Sequence, residues 1–204
     1  MRLGLAGVVW CAYAYHEKAK ESVVALQYTK ESKGTGFAIS KNGLALSSSH
    51  VLEAKHTTTV GGEYIEVLAY DKDLDIALLQ LPRHKTYSYL KLGSSEQTQK
   101  GERLHHYGYA FTSLVGFTGF LQNKQGIYLY SSAEMMHGMS GGPLLNSEGE
   151  VIGVNKGHYY CSPQRRKELP YHTGPSVYIA IEPVKEFLLK HCKETWRGWE
   201  YLNK

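Results

Sequence analysis

The run Gly138-Met139-Ser140-Gly141-Gly142-Pro143 constrains this chain more than any other stretch. It offers one hydroxyl on a turn whose glycines leave backbone N–H groups open to a reacting oxygen. It is followed by Glu150-Val151-Ile152-Gly153-Val154, which reads as a turn into a β-strand. A serine hydroxyl is unreactive at neutral pH unless a base takes its proton, so the motif predicts a histidine and a carboxylate elsewhere. His50 closes the segment Gly43-Leu44-Ala45-Leu46-Ser47-Ser48-Ser49-His50, and Asp75 opens Asp75-Ile76-Ala77-Leu78-Leu79, a buried-strand pattern. Asp71 and Asp73 compete for the carboxylate's place, but only Asp75 directly precedes the apolar strand. The order along the chain is histidine, aspartate, serine.

That order separates two folds that share a literal G-x-S-x-G, because in α/β-hydrolases the serine comes first and the histidine last. His158, His172 and His191 do follow Ser140. The hydrolase elbow, however, leads straight into a helix, and Pro143 followed by a strand does not.

Short apolar runs separated by glycine and polar clusters predict an all-β domain. Residues 23–28, 36–40, 44–48, 65–70 and 76–81 form a first group, expected to make an N-terminal barrel. Lys41-Asn42-Gly43 is a hairpin turn that pins the strands carrying the chain to His50. The loop 53–59 is expected to be exposed. A connector of small and polar residues, Gly93 to Gly101, leads to a second group: 104–109, 114–121, 126–131, 144–145, 151–155 and 177–181. Glu148-Gly149 reads as another hairpin turn. After Pro183 the apolar positions Val184, Phe187, Leu188 and His191 or Cys192 fall at helical spacing, which predicts a short terminal helix. The resulting division is an N-terminal segment 1–22, a barrel 23–92, a connector 93–101, a second barrel 102–182, and a helix and tail 183–204.

Composition closes off several alternatives. At 204 residues and 42% hydrophobic content the chain holds one large β domain or two small barrels. The formal charge of +4 is small. Its basic residues are scattered apart from Arg165-Arg166-Lys167, which reads as a solvated loop, so no nucleic-acid partner is expected. Cys11, Cys161 and Cys192 build neither a metal-ligand pattern nor a disulfide framework, so no metal or cofactor is expected. A Cys161–Cys192 disulfide and two free thiols both remain open. Arg2, the apolar run Leu3 to Ala14 and its Ala12-Tyr13-Ala14 exit fit a short signal peptide, which implies a secreted or periplasmic protein. They fit equally an ordered N-terminal helix or arm packed on the first barrel, which leaves a cytoplasmic location open. The run is too short for a transmembrane helix, so no stable membrane insertion is expected.

Taken together, these blocks resemble the chymotrypsin-fold serine proteases, and most of all the trypsin-like domain of the Deg, or high-temperature-requirement, group. Gly34-Thr35-Gly36-Phe37-Ala38-Ile39-Ser40 is similar to that group's glycine-led strand, and His50-Val51-Leu52 to its histidine block. Asp73 to Leu79 resembles its aspartate block, Leu90 to Ser95 its linker, and Tyr178-Ile179-Ala180-Ile181-Glu182-Pro183 its last strand entering the helix. The resemblance implies two six-stranded Greek-key β-barrels with a short C-terminal helix, and a serine endopeptidase whose partner is a polypeptide substrate. It leaves the oligomeric state open. No regulatory peptide-binding domain is read after the protease-like region, so the trimeric cages of some Deg proteins are not expected. Two positions depart from the pattern. Ser49 stands where many relatives have alanine or asparagine. Met139 stands where aspartate or asparagine is usual, so it cannot form the ion pair through which pancreatic-type enzymes assemble their oxyanion hole.

In the mechanism these residues imply, His50 takes the Ser140 proton and Asp75 bonds the other ring nitrogen. The N–H groups of Gly138 and Ser140 face the oxyanion. The pocket for the side chain before the scissile bond is expected between residues 132–139, 155–158 and the strand 177–180. Glu134 lies six positions before Ser140, where trypsin-like enzymes carry the pocket-floor residue, and a carboxylate there favours Lys or Arg. Lys156 and His158, beside Asn155, are placed to neutralise it or to favour an acidic residue instead, and Glu134 also fits a plain exposed loop charge. The other functional class is a non-catalytic or latent protease-like module that holds an extended peptide and needs a partner to form its oxyanion hole.

Overall fold

Eleven of the strands arise from the apolar runs just described, and most of them are buried on both faces, which is why they read as continuous rather than alternating. The computed structural model describes residues 15–27, 33–52, 59–158 and 175–192. The leader-like stretch 1–14, the loop 53–58, Cys161 and the basic run 165–167 lie outside the described residues.

The first half is a seven-stranded curled sheet in the order β5-β4-β1-β2-β3-β7-β6. Its members are β1 (Val23–Gln27), β2 (Lys33–Ala38), β3 (Leu44–Ser47), β4 (Thr59–Val60), β5 (Glu63–Tyr64), β6 (Glu66–Asp71) and β7 (Ile76–Gln80). The second half is a closed barrel of six antiparallel strands, β10-β13-β12-β11-β8-β9. These are β8 (Arg103–Ala110), β9 (Ser113–Gln125), β10 (Tyr128–Ser131), β11 (Pro143–Leu145), β12 (Val151–His158) and β13 (Ser176–Ala180). The all-β, chymotrypsin-like architecture expected from the sequence is therefore present, with six strands in the closed barrel and seven in the open half. Sequence patterning passes over β4 and β5, since two residues carry no periodicity.

The period of two explains how both faces are filled. Ile76 and Leu78 of β7 join an apolar cluster that runs between the halves, while Ala77 and Leu79 join one inside the first sheet. In β13, Ile179 faces the shared cluster, and Tyr178 and Ala180 face the interior of the second barrel. Each fully buried Leu or Ile contributes about 1.5–3 kcal/mol. The shared cluster therefore fixes how the two halves meet.

Among the described residues, two α-helices accompany the strands. Helix α1 covers residues 15–22. Its Ala19 is fully buried, Glu21 accepts from the Ser88 hydroxyl at 2.8 Å, and His16 Nδ1 bonds the Tyr107 hydroxyl. It thus touches both the segment before the connector and the second barrel. Helix α2 (Ile181–Cys192) lays Ile181, Val184, Phe187 and Leu188 into the shared cluster. Glu182 in its first turn accepts from the Ser94 hydroxyl at 2.9 Å and the Ser95 N–H at 2.8 Å. Burial raises the Glu182 pKa, but the Ser95 and Ser94 hydrogen bonds outweigh it and hold the carboxyl below its usual range. Helix α2 thereby ties the connector to the body of the fold, and helix α1 ties the segment before it to the second barrel.

Candidate active site

The register of the first sheet brings His50 and Asp75 together. Ser47 of β3 pairs with Ala77 of β7, so continuing the antiparallel ladder by two residues sets position 49 opposite position 75. Beyond β3 the chain passes through extended Ser48 into a single 3-10 turn, Ser49–Val51, which turns His50 toward the carboxylate. Asp75 itself sits at φ 62 at the end of the β6–β7 turn, a left-handed conformation that Asp tolerates better than most residues.

The carboxylate is 7% exposed and fully engaged. Its Oδ2 lies 2.9 Å from His50 Nδ1. Its Oδ1 accepts from the His50 backbone N–H at 3.0 Å and from the Ser49 hydroxyl at 3.1 Å. Lys156 Nζ, reaching from the second barrel, lies 3.1 Å from Oδ2. Burial pushes the Asp75 pKa up, but the His50 hydrogen bonds and charge, followed by Lys156, outweigh that and leave it below the usual carboxylate value. The His50 side chain is 42% exposed, open to proton exchange.

The serine turn is built separately, on the second barrel. Met139 N–H donates to the Met136 carbonyl at 3.1 Å, and Gly138 between them has φ 94, the positive value required at the third position of a type II turn. Met139 is fully buried and its sulfur accepts the Met136 N–H at 3.3 Å, so an apolar side chain anchors this position of the turn. Among the described residues, neither the Gly138 nor the Ser140 N–H has an acceptor. Two N–H groups thus flank Ser140 unpaired.

Thr35 of β2 joins this turn to the first half. It is fully buried. Its N–H donates to the Ser140 carbonyl at 2.9 Å and its hydroxyl to the Gly138 carbonyl at 2.7 Å. The same hydroxyl accepts from Tyr109 N–H at 2.8 Å, and the Thr35 carbonyl accepts from the Ser47 hydroxyl at 2.8 Å. Gly141, at φ 85, seals the seam: a Cβ there would overlap the Thr35 carbonyl oxygen and the Ser47 hydroxyl and come 2.8 Å from the Ser48 amide nitrogen. Residue 141 is therefore pressed against residues 47 and 48, three and two positions before His50. Ser140 Oγ makes no hydrogen bond among the described residues, and the two turns meet through these neighbours. Catalytic hydrogen bonds are often long in an unliganded site.

The residues expected around the specificity pocket divide. Glu134 is exposed. Asn155 is fully buried and points its amide at His106, 3.0 Å from Nε2, so its side chain packs behind the serine turn rather than toward a substrate. His106 is buried too. Burial drives its pKa down to about 3, against the opposing pull of the Glu134 and Met139 carbonyls. His158 Nε2 lies 3.1 Å from the Met135 carbonyl and Ser176 donates to the Ala133 carbonyl at 2.7 Å, so both brace the loop that carries Glu134. Lys156 does not neutralise Glu134; its ammonium is on Asp75.

Thr35, Ser49 and His106 are site residues that sequence reasoning did not assign. Thr35 carried a signal, since it lies between Gly34 and Gly36 in a strand block. Among the described residues, no group of His, Cys, Asp and Glu could hold a metal, and no helix is long and apolar enough to cross a membrane.

Comparison with known proteins is consistent with this geometry. A sequence model of the trypsin-like peptidase domain matches residues 34–154. The chain is 33% identical over 173 residues to serine protease HTRA1 of Xenopus tropicalis, covering 76% of this chain and 35% of that protein. It is 29% identical over 216 residues to serine protease HTRA4 of Mus musculus, covering 92% and 42%, and 28% identical over 189 residues to human serine protease HTRA4, covering 84% and 37%. The match thus spans well under half the length of each of these relatives.

Proposed function

Since this chain belongs to the trypsin-like peptidase family, we propose that it is a serine endopeptidase that cleaves polypeptides through Ser140, His50 and Asp75. The observation that carries the reading is the pairing of His50 Nδ1 with Asp75 at 2.9 Å, on a turn packed against the residue that follows Ser140. The named relatives are serine proteases, and the span matched by the family model, 34–154, includes all three residues.

Ser140 Oγ attacks the carbonyl carbon of the scissile peptide bond while His50 Nε2 accepts its proton. The His50 ring then returns that proton to the leaving amine. Water repeats the sequence on the acyl-enzyme, with His50 again the base. Asp75 fixes the tautomer by accepting from Nδ1 and stabilises the imidazolium that forms in each half-reaction. The unpaired N–H groups of Gly138 and Ser140 serve as the oxyanion donors, each worth about 3 kcal/mol in the transition state.

The test is labelling by a fluorophosphonate probe combined with digestion of a proteome-derived peptide library. Labelling and cleavage that vanish together in Ser140→Ala and His50→Ala support the reading. A folded chain that labels only when a peptide is added identifies the latent form. One that binds peptides without labelling or cutting them is a binding module, and the proposal fails.

A further inference from the structure

Lys156 stands out because neither the reaction nor the fold requires an ammonium beside the catalytic carboxylate. The ladder between β12 and β13 runs Asn155 opposite Tyr178 and then Gly157 opposite Val177, so Lys156 is the extra, unpaired residue of a β-bulge. Bulges beside active sites re-aim side chains. This one turns the Lys156 side chain out of the barrel and across to the first half, where Nζ reaches Asp75 Oδ2 at 3.1 Å over a sequence separation of 81. The His50 Nδ1 shares that same oxygen at 2.9 Å.

We propose that Lys156 is a positioning residue for the catalytic pair, its ammonium pinning the Asp75 carboxylate across the cleft and disfavouring the protonated form of the His50–Asp75 pair. The inference rests on the peptidase reading for its catalytic meaning, but the electrostatic relationship stands on geometry alone. A positive charge on the oxygen that must stabilise the imidazolium opposes a second positive charge there. The pair therefore stays deprotonated, and His50 remains a base, to lower pH than it would without Lys156.

Among the described residues, His50 beyond β3 and Lys156 on β12 are the ionisable groups acting on Asp75 from other elements. Its own turn adds Asp71, Lys72 and Asp73. Asp71 spends its Oδ1 on the Leu74 N–H at 2.9 Å. Ser49, the remaining donor on the carboxylate, is neutral. Among the described residues, Lys156 is therefore the group that brings a fixed positive charge from the second barrel to the pair. Its side chain is 34% exposed, so screening by solvent keeps the effect moderate.

The experiment has two arms. In the Ser140→Ala chain, the protonation midpoint of the pair is followed by the ring resonances of His50, with and without Lys156→Met. In the active chain, the acidic limb of kcat/KM is measured for the wild type, Lys156→Met and Lys156→Arg. We expect Lys156→Met to raise both midpoints by about half to one pH unit, and Lys156→Arg to restore them to within about 0.2 unit, on the scale of a partly screened ion pair. Midpoints that do not move, or an arginine variant that behaves like the methionine one, overturn the proposal, because a purely structural lysine would change stability and leave the titration in place. If the resonance midpoint shifts while the wild-type chain neither labels nor cuts peptides, the peptidase reading falls and the action of Lys156 on the pair stands.

Discussion

The Thr35 hydroxyl donates to the Gly138 carbonyl at 2.7 Å, joining two residues 103 positions apart and tying the first half of the fold to the turn before Ser140. The same hydroxyl accepts from Tyr109 N–H, so one buried oxygen orders a strand of the second barrel and the serine turn together. Thr35→Val keeps the shape and removes the oxygen, leaving a carbonyl and an N–H without partners. The expected cost is about 1–3 kcal/mol for each buried group left unpaired. Because the Gly138 peptide is freed, kcat should fall about 10–100-fold with KM little changed, on the scale of a misplaced oxyanion donor. Thr35→Ser should recover most of both. Denaturant melts and steady-state kinetics on the two variants check this, and a Thr35→Val enzyme with unaltered kcat would contradict it.

Gly141 offers a sharper test of the seam. Its φ of 85 already disfavours a side chain, and an added Cβ meets backbone atoms of Thr35 and Ser48 together with the Ser47 hydroxyl. Backbone cannot step aside as a flexible side chain can. Gly141→Ala should therefore destabilise the protein by more than about 3 kcal/mol, combining overpacking with left-handed strain. It should also abolish fluorophosphonate labelling in whatever fraction still folds. Thermal denaturation followed by probe labelling of the soluble fraction measures both, and a variant of native stability would show that the two turns are not in contact.

Acid should weaken the fold before it protonates any carboxylate. His106 is buried with its folded-state value pushed down to about 3, and His105 to about 4 by burial, then by His16 and Arg103. The unfolded chain takes up these protons near the ordinary histidine value of about 6.5. Their stabilisation is therefore complete above about 6.5 and is lost as pH falls toward the folded values. For His106 alone the loss between pH 7 and pH 5 is about 2 kcal/mol, from about 1.5 units at 1.36 kcal/mol each. Asp75 and Glu182, both lowered, contribute above their unfolded values and begin to be lost only below about pH 4. Stability measured by denaturant at pH 7 and pH 5 should drop by that amount less in His106→Gln than in the wild type. Equal drops in the two proteins would remove His106 as a source.

Much of the architecture was readable because the chain announces its strands twice. Runs such as Ile76 to Gln80 and Ser176 to Ala180 are buried throughout, so their apolar content survives any uncertainty of face. The His50–Asp75 approach was readable as well, since both residues border such runs and one register fixes their distance. Helix α1 was not resolved from the sequence, because residues 1–14 satisfied a leader and a packing segment equally. The duties of Asn155 and Lys156 were hidden for a different reason. A single bulge after Asn155 sends consecutive side chains to His106 and to Asp75, and no local pattern reports a bulge. The duties of Thr35 were hidden, despite its place between two glycines, because its four partners come from two separate strands and a turn.

Glu134 leads to the last expectation, on specificity. Lys156 is committed to Asp75 and His158 to the Met135 carbonyl, so Glu134 is left without an ion-pair partner among the described residues. Its carboxylate is nevertheless exposed rather than enclosed. An exposed charge pair contributes about 0.2–1 kcal/mol, which corresponds to about 1.4- to 5-fold in rate. Peptides with Arg or Lys before the scissile bond should therefore be favoured over isosteric neutral ones by no more than that factor. Glu134→Gln should erase the preference, as should raising the salt concentration, which screens exposed pairs. Competition among peptides ending in Arg, Glu, Leu and Ala measures it. A preference for Arg of a thousandfold would mean that the carboxylate is enclosed when substrate binds, and cleavage after Leu or Ala alone would remove Glu134 from the specificity site.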